Sequence, residues 1–178
     1  MEMNGWKTYR NNQFHFEITL PDAFRLEETT YPLTDADVNS QDIADFYGLD
    51  VLDQTDTIHY FGLAVGKSRL TLEAYEQTKK NPIRYDSAWT ITRRFIDGIS
   101  GFDTYGYAAE AHLYSQYFDF VHDGYIYTIF LDPVIENRIT ADTYPGGGSG
   151  GCCNDYDPAK KKDIYRTILA SFKVTDSP

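Results

Sequence analysis

Basic side chains are in short supply in this sequence. Lys and Arg number 16 against 27 Asp and Glu, for a net charge of −11. A phosphate backbone demands a basic footprint, so no nucleic-acid partner is expected, and docking on an anionic bilayer is disfavoured for the same reason. A basic partner or a cation is compatible with the charge, which also serves solubility alone. Long apolar runs are missing too: nothing approaches the ~18 residues of a membrane span, so the domain is not expected to insert into a membrane. The opening MEMNGWKTYR has neither the basic nor the apolar region of a secretory leader. It fits a cytoplasmic protein or one whose leader lies outside this chain, and the expected setting is the second, at the cell envelope. Cysteine occurs twice, as the neighbours Cys152 and Cys153. No disulfide framework therefore shapes the chain; a single domain of 178 residues can bury about 70% of its unfolded surface without covalent or metal staples. Catalytic signatures are missing as well. There is no HExxH and no GxSxG, and the Gly/Ser run over residues 146–151 is not followed by the GK[ST] of a phosphate loop. A non-enzymatic protein is the expectation.

What the sequence does hold is aromatic residues, 15 Tyr, 11 Phe and 2 Trp, many in alternating stretches. Trp6 to Leu20, WKTYRNNQFHFEITL, reads as a hairpin turning at Arg10-Asn11-Asn12. Phe14, Phe16, Ile18 and Leu20 fall on one face and His15, Glu17 and Thr19 on the other, the period of a half-buried strand. This hairpin is expected to form an edge of the sheet. Thr57 to Val65 is apolar on both faces and belongs in the centre, paired with Phe46 to Leu52 through the polar turn Asp53 to Asp56. Ala88 to Ile96 sets Trp89, Ile91 and Phe95 on one face, and Asp97-Gly98 and Ser100-Gly101 are turn signals before a strand beginning at Tyr105. Tyr114 to Val121 and Tyr125 to Leu131 flank His122-Asp123-Gly124, a strong hairpin signal. Thr71 to Lys80 reads as a helix, with Thr71 as N-cap, Glu73 in the first turn and Lys79 and Lys80 in the last. A second helix begins at Pro158 behind the cap Asp157; Ile164, Ile168 and Phe172 face inward and Lys160, Lys161, Lys162 and Arg166 outward. Glu27 to Ser40 reads as an irregular connection, Gln41 to Phe46 as a helical turn, and Asn137 to Asp157 as a solvated loop.

Candidate sites are few. Asn154, Asp155 and Asp157 place oxygen ligands in one loop, short of the roughly six to eight that calcium takes. Calcium is the one cofactor this leaves open, against the plainer reading of solvated turn acids; Asp50, Asp53 and Asp56 form a similar turn. Adjacent Cα atoms sit at ~3.8 Å, below the ~4.4–6.8 Å of ordinary disulfides. Unreacted thiols are thus expected at Cys152 and Cys153, with a strained redox-active disulfide or a link to another chain as alternatives. His15, His59, His112 and His122 lie on strands or at their ends and read as isolated sheet histidines rather than a metal site or a general base. Tyr105, Tyr107, Tyr114, Tyr117, Tyr125 and Tyr127 crowd the later hairpins. Tyr105, Tyr107, Tyr125 and Tyr127 are the candidate binding surface, since exposed tyrosines recognise peptides and sugars; the competing reading is tyrosines packed in or at the rim of a sheet.

The opening WKTYRNNQFHFEITLPDAF resembles the start of PsbP-like domains, with a Trp, an extended run, then F-x-F-x-I ahead of a Pro. The closing DIYRTILASFKV is similar to the terminal helix of that family, and the turns at Asp97-Gly98 and Asp123-Gly124 agree in layout. Departures are the acidic stretch from Glu27, extending to about residue 44, the segment Asn137 to Asp157, and Asp22-Ala23-Phe24 where an Asp-Trp is usual. The resemblance implies a single α/β domain, an α/β/α sandwich with a central antiparallel sheet of about six strands and helices packed on both faces. Known members include a photosystem accessory protein, a Ran-binding import factor and bacterial lipoproteins, mostly non-catalytic. The expected function is a binding or accessory module engaging an unidentified protein partner, with a small-ligand or cation binder and a thiol redox role as alternatives.

Overall fold

The computed structural model describes residues 5–31, 43–53, 59–80, 89–108, 113–140 and 158–175. Among them the chain forms β1 (Trp6–Asn11), β2 (Phe16–Pro21), β3 (Arg25–Tyr31), β4 (Ile43–Leu52), β5 (His59–Ser68), α1 (Leu72–Lys79), β6 (Thr90–Ile96), β7 (Ile99–Ala108), β8 (Leu113–His122), β9 (Tyr125–Leu131), α2 (Pro158–Ser171) and β10 (Lys173–Val174). The strands make two antiparallel sheets, a three-stranded one in the order β1-β2-β10 and a seven-stranded one in the order β3-β4-β5-β9-β8-β7-β6.

Local chemistry sets the hairpins. Asn11 Oδ1 accepts from the backbone N–H groups of Gln13 and Phe14 at 3.0 and 2.9 Å, a side-chain turn that follows β1 two residues later than the expected turn at Arg10 and delivers Phe14 into the core. Asp97-Gly98 and Asp123-Gly124 both adopt positive φ (45° and 91°; 47° and 79°), the twist that suits two-residue hairpins. Phe16, Ile18 and Leu20 are fully buried, and they pack with Phe61, Leu63 and Val65 of β5, Phe118 and Phe120 of β8, Tyr127 and Ile129 of β9, and Ile168 and Phe172 of α2 and its end. β5 and β9 lie in the middle of the large sheet, where a strand apolar on both faces belongs.

The fold is mostly β, which overturns the expected α/β/α sandwich of about six strands. The inner face of the large sheet is covered by a second sheet together with α2, because the first hairpin, rather than forming an edge of the large sheet, pairs with β10. α1 is only eight residues long and reaches a small cluster of Tyr75, Phe102 and Ile126, so among the described residues no helical layer forms there. Glu27 to Tyr31, expected within an irregular connection, instead belongs to the edge strand β3, whose charged residues sit where one flank faces solvent. The expected helical turn at Gln41 to Phe46 is strand from Ile43 onward. Ser100-Gly101 lies inside β7, paired with Phe95 and Arg94 rather than turning. Phe95 is 70% exposed. Lys161 is buried, not outward, because Lys161, Tyr165, Ile168 and Phe172 share one helical stripe and Asp132 meets the ammonium at 2.8 Å. No helix among the described residues is long and apolar enough to cross a membrane.

Candidate functional site

Side chains alternate across a sheet, so β9 sends Tyr127 and Ile129 into the core and Ile126, Thr128 and Phe130 to the opposite face. The register brings Ala64, Asp119 and Thr128 side by side there, with Tyr117 beside Phe130 and Thr104 beside Tyr117. A pocket of about 340 Å³ opens on this face. Ala64, Thr104 and Thr128 form its floor, Trp89, Tyr117 and Phe130 one wall, and Tyr75 and Lys79 of α1 the other.

Each wall is held from outside. The Thr71 hydroxyl accepts from the Ala74 N–H at 3.2 Å and starts α1. Glu76 then ties the helix to the sheet through Arg93 of β6, and bonds Lys80 at 2.6 Å. Trp89 lies against Gly106, where a Cβ would come within 2.7 Å of the indole; glycine is what lets the ring approach the strand. The indole stacks on Tyr117 with ring centres 6.0 Å apart and planes 26° apart, and Tyr117 meets Phe130 edge-on at 5.3 Å. Phe130 remains 43% exposed at the rim. Lys79 holds its ammonium 5.3 Å from the centre of the Tyr75 ring.

Under the floor, Asp119 is completely buried. Thr128 Oγ1 donates to it at 2.5 Å, and Tyr75 Oη and Thr104 Oγ1 donate at 3.4 Å each. Burial pushes its carboxyl above the usual Asp range, while the charge of Lys79 and the three hydroxyls pull the other way. The Tyr75 hydroxyl is pushed up to about 12, first by burial and then by Asp119. The arrangement offers ring faces for stacking, hydroxyls for hydrogen bonds and one ammonium. Among the described residues its lining contains no histidine or cysteine.

The tyrosines singled out in the sequence do not gather into one surface. Tyr105 and Tyr107 pack around Tyr114, with ring centres 6.1 and 4.9 Å away. Tyr125 and Tyr127 sit at the other end of β8, where Tyr125 pairs with His122 and Tyr107 with Tyr114. Eight residue steps of strand, about 27 Å at ~3.4 Å per residue, separate the two groups. Tyr127 is core, its hydroxyl donating to the Phe14 carbonyl at 2.8 Å and pushed up by burial. His15 adopts φ 51° in the first turn and meets the Tyr125 ring edge-on. His59 lies 3.8 Å from Asp50, whose hydrogen bond pushes the imidazole up. His122 lies 3.6 Å from Asp123. Among the described residues no three His, Cys, Asp or Glu side chains are placed to hold a metal ion. Asn154, Asp155, Asp157, Cys152, Cys153, Asp56 and His112 lie outside the described residues.

Neither the family models nor the curated proteins compared with this chain give a match. Function is therefore argued from the site. Sequence reading missed Thr104, Thr128 and Phe130 as site residues and took Trp89 for an apolar strand position. One signal was present: Asp119 interrupts Tyr117-Phe118-Asp119-Phe120, and a charge in the middle of an apolar run marks a buried polar centre.

Proposed function

We propose that the protein is a non-enzymatic binding module whose ligand is a small ring-bearing molecule, aromatic or sugar-like, held against Trp89, Tyr117 and Phe130. The observation that carries this is an aromatic wall and a hydroxyl-bearing floor within one concavity of about 340 Å³. That volume lies within the ~300–1,000 Å³ of small-molecule sites, which pair apolar walls with a few placed polar groups. The resemblance of both chain ends to PsbP-like domains, most of them accessory proteins, supports the same class of function and an envelope setting.

The test uses Trp89 as reporter. The chain has two tryptophans, so Trp6→Phe leaves one, in the pocket wall. Titration with a panel of small aromatics and monosaccharides is expected to give a saturable change in Trp89 emission for at least one class. Phe130→Ala should weaken that binding about three- to tenfold, the range of an aromatic contact beyond its buried area. A silent Trp89 across the panel, or a Phe130→Ala variant that binds as tightly, overturns the reading.

A second reading, a protein partner, is favoured by β6. This strand ends the large sheet and carries Phe95 at 70% exposure, which suits a partner strand adding to the edge. A photo-crosslinker at position 95 should then trap a protein in the native host while one at Thr8 does not; equal yields at both would remove it.

A further inference from the structure

β9 stops short of its neighbours. Its last pairings are Phe130 with Gly62 of β5 and Leu131 with Gln116 of β8. Asp132 then turns the chain away, its carboxylate accepting from the Val134 and Ile135 N–H groups at 2.9 and 3.2 Å. β5 runs on towards His59 and β8 towards Leu113, and among the described residues no strand lies between them. A cleft of about 300 Å³ occupies this split end of the sheet.

Gln116 lines the cleft and is 2% exposed. Its Nε2 donates to both Asp103 oxygens at 3.0 Å each. Asp103 is itself clamped by Arg138 at 2.7 Å and Arg94 at 3.4 Å. A carboxylate only accepts, so the amide cannot be flipped. Oε1 is thereby fixed as a buried acceptor, and among the described residues nothing donates to it. Such an acceptor calls for an N–H or O–H from something that enters the cleft. The charges there are uneven. Lys161 is committed to Asp132 at 2.8 Å, which leaves Asp50 at the half-exposed mouth beside His59. Among the described residues of the lining, two carboxylates against one ammonium give a net charge of −1 when His59 is neutral. The Tyr117 ring lines the same cleft and offers a face to a cation.

We propose that this cleft is a second binding site, for a small organic cation that carries N–H donors, such as a primary alkylammonium, with its N–H on Gln116 Oε1 and its charge balanced by Asp50. It shares Tyr117 and Phe130 with the ring-ligand pocket, but its readout, Gln116, lines the cleft and not the pocket. Propylammonium chloride is titrated at pH 8.5, above the ordinary histidine range, while the Gln116 side-chain amide is followed by NMR, with tetramethylammonium at equal ionic strength as the donor-free control. A saturable shift of the Gln116 amide with propylammonium and not with tetramethylammonium is expected. Gln116→Met should abolish saturable binding, read then from neighbouring backbone amides. The surface variant Asp50→Asn, which leaves the core untouched, should weaken it about two- to fivefold, the range of an exposed ion pair. No saturable shift, equal shifts with both cations, or wild-type affinity in Asp50→Asn each overturns the proposal. So does a crystal structure in propylammonium that shows only an ordered water on Oε1.

Discussion

Asp119 is the residue whose protonation the fold most clearly alters. Its native carboxyl titrates above the unfolded value of ~3.9 because burial outweighs the hydroxyls around it. The native state therefore keeps this proton over a window in which the unfolded chain has lost it. The group's contribution to stability is complete below ~3.9, declines as pH rises through the window, and stays reduced above the raised value. Asp119→Asn cannot ionise, so its melting temperature relative to the parent should climb as pH rises above about 4; parallel melting curves above that pH would contradict this. Asp119→Ala leaves three hydroxyls without their acceptor, those of Tyr75 and Thr104 on buried residues, and should cost about 1–3 kcal/mol in urea unfolding. Lys161 and Asp132 make the complementary case. Lys161→Met leaves a mostly buried carboxylate and should cost about 3 kcal/mol. Adding Asp132→Leu should recover only part of it, because Asp132 also accepts from Val134 and Ile135; a double-mutant cycle in urea measures the coupling.

Among the elements, Phe172 at the end of α2 touches Phe16, Phe61, Phe120 and Tyr127 at ring-centre distances of 5.9 to 6.5 Å. Phe172→Ala should cost about 3–5 kcal/mol, seen as loss of cooperative melting near physiological temperature. Gly106→Ala should move Trp89 off β7, shift its emission and weaken the proposed ring ligand. These elements were legible to different degrees. Asp123-Gly124, the Phe14 to Leu20 alternation and the Thr71 cap are local instructions, and each produced the element expected of it. Lys161 misled because charge was read as outward, although its spacing to Tyr165 and Ile168 placed it inward and Asp132 supplied its partner. Phe95 shows the limit of alternation: it shares a face with Ile91 as expected, but nothing local says that β6 is the last strand of its sheet and leaves the ring exposed. The part of β3 from Glu27 to Tyr31 was hidden because edge position lets charged residues replace an apolar alternation.

At the scale of the whole molecule, the two sheets share one core, since Phe16, Ile18 and Leu20 of the small sheet pack with side chains of the large one. They should unfold together. Trp6 packs at the margin of that core and Trp89 lies on the far face of the large sheet, so single-tryptophan variants should give superimposable denaturation curves; separate midpoints would mean the small sheet detaches first. The pocket was not legible because its lining comes from β5, α1, the residue before β6, and β7, β8 and β9, and no spacing along a chain records which distant strands become neighbours. The order β1-β2-β10 has a consequence for synthesis. β2 is held on one flank by β1, made just before it, and on the other by Lys173 and Val174. On the ribosome that flank stays open until β10 clears the exit tunnel, so Phe16, Ile18 and Leu20 become durably enclosed only then, and the nascent chain is a natural client for a chaperone until that moment.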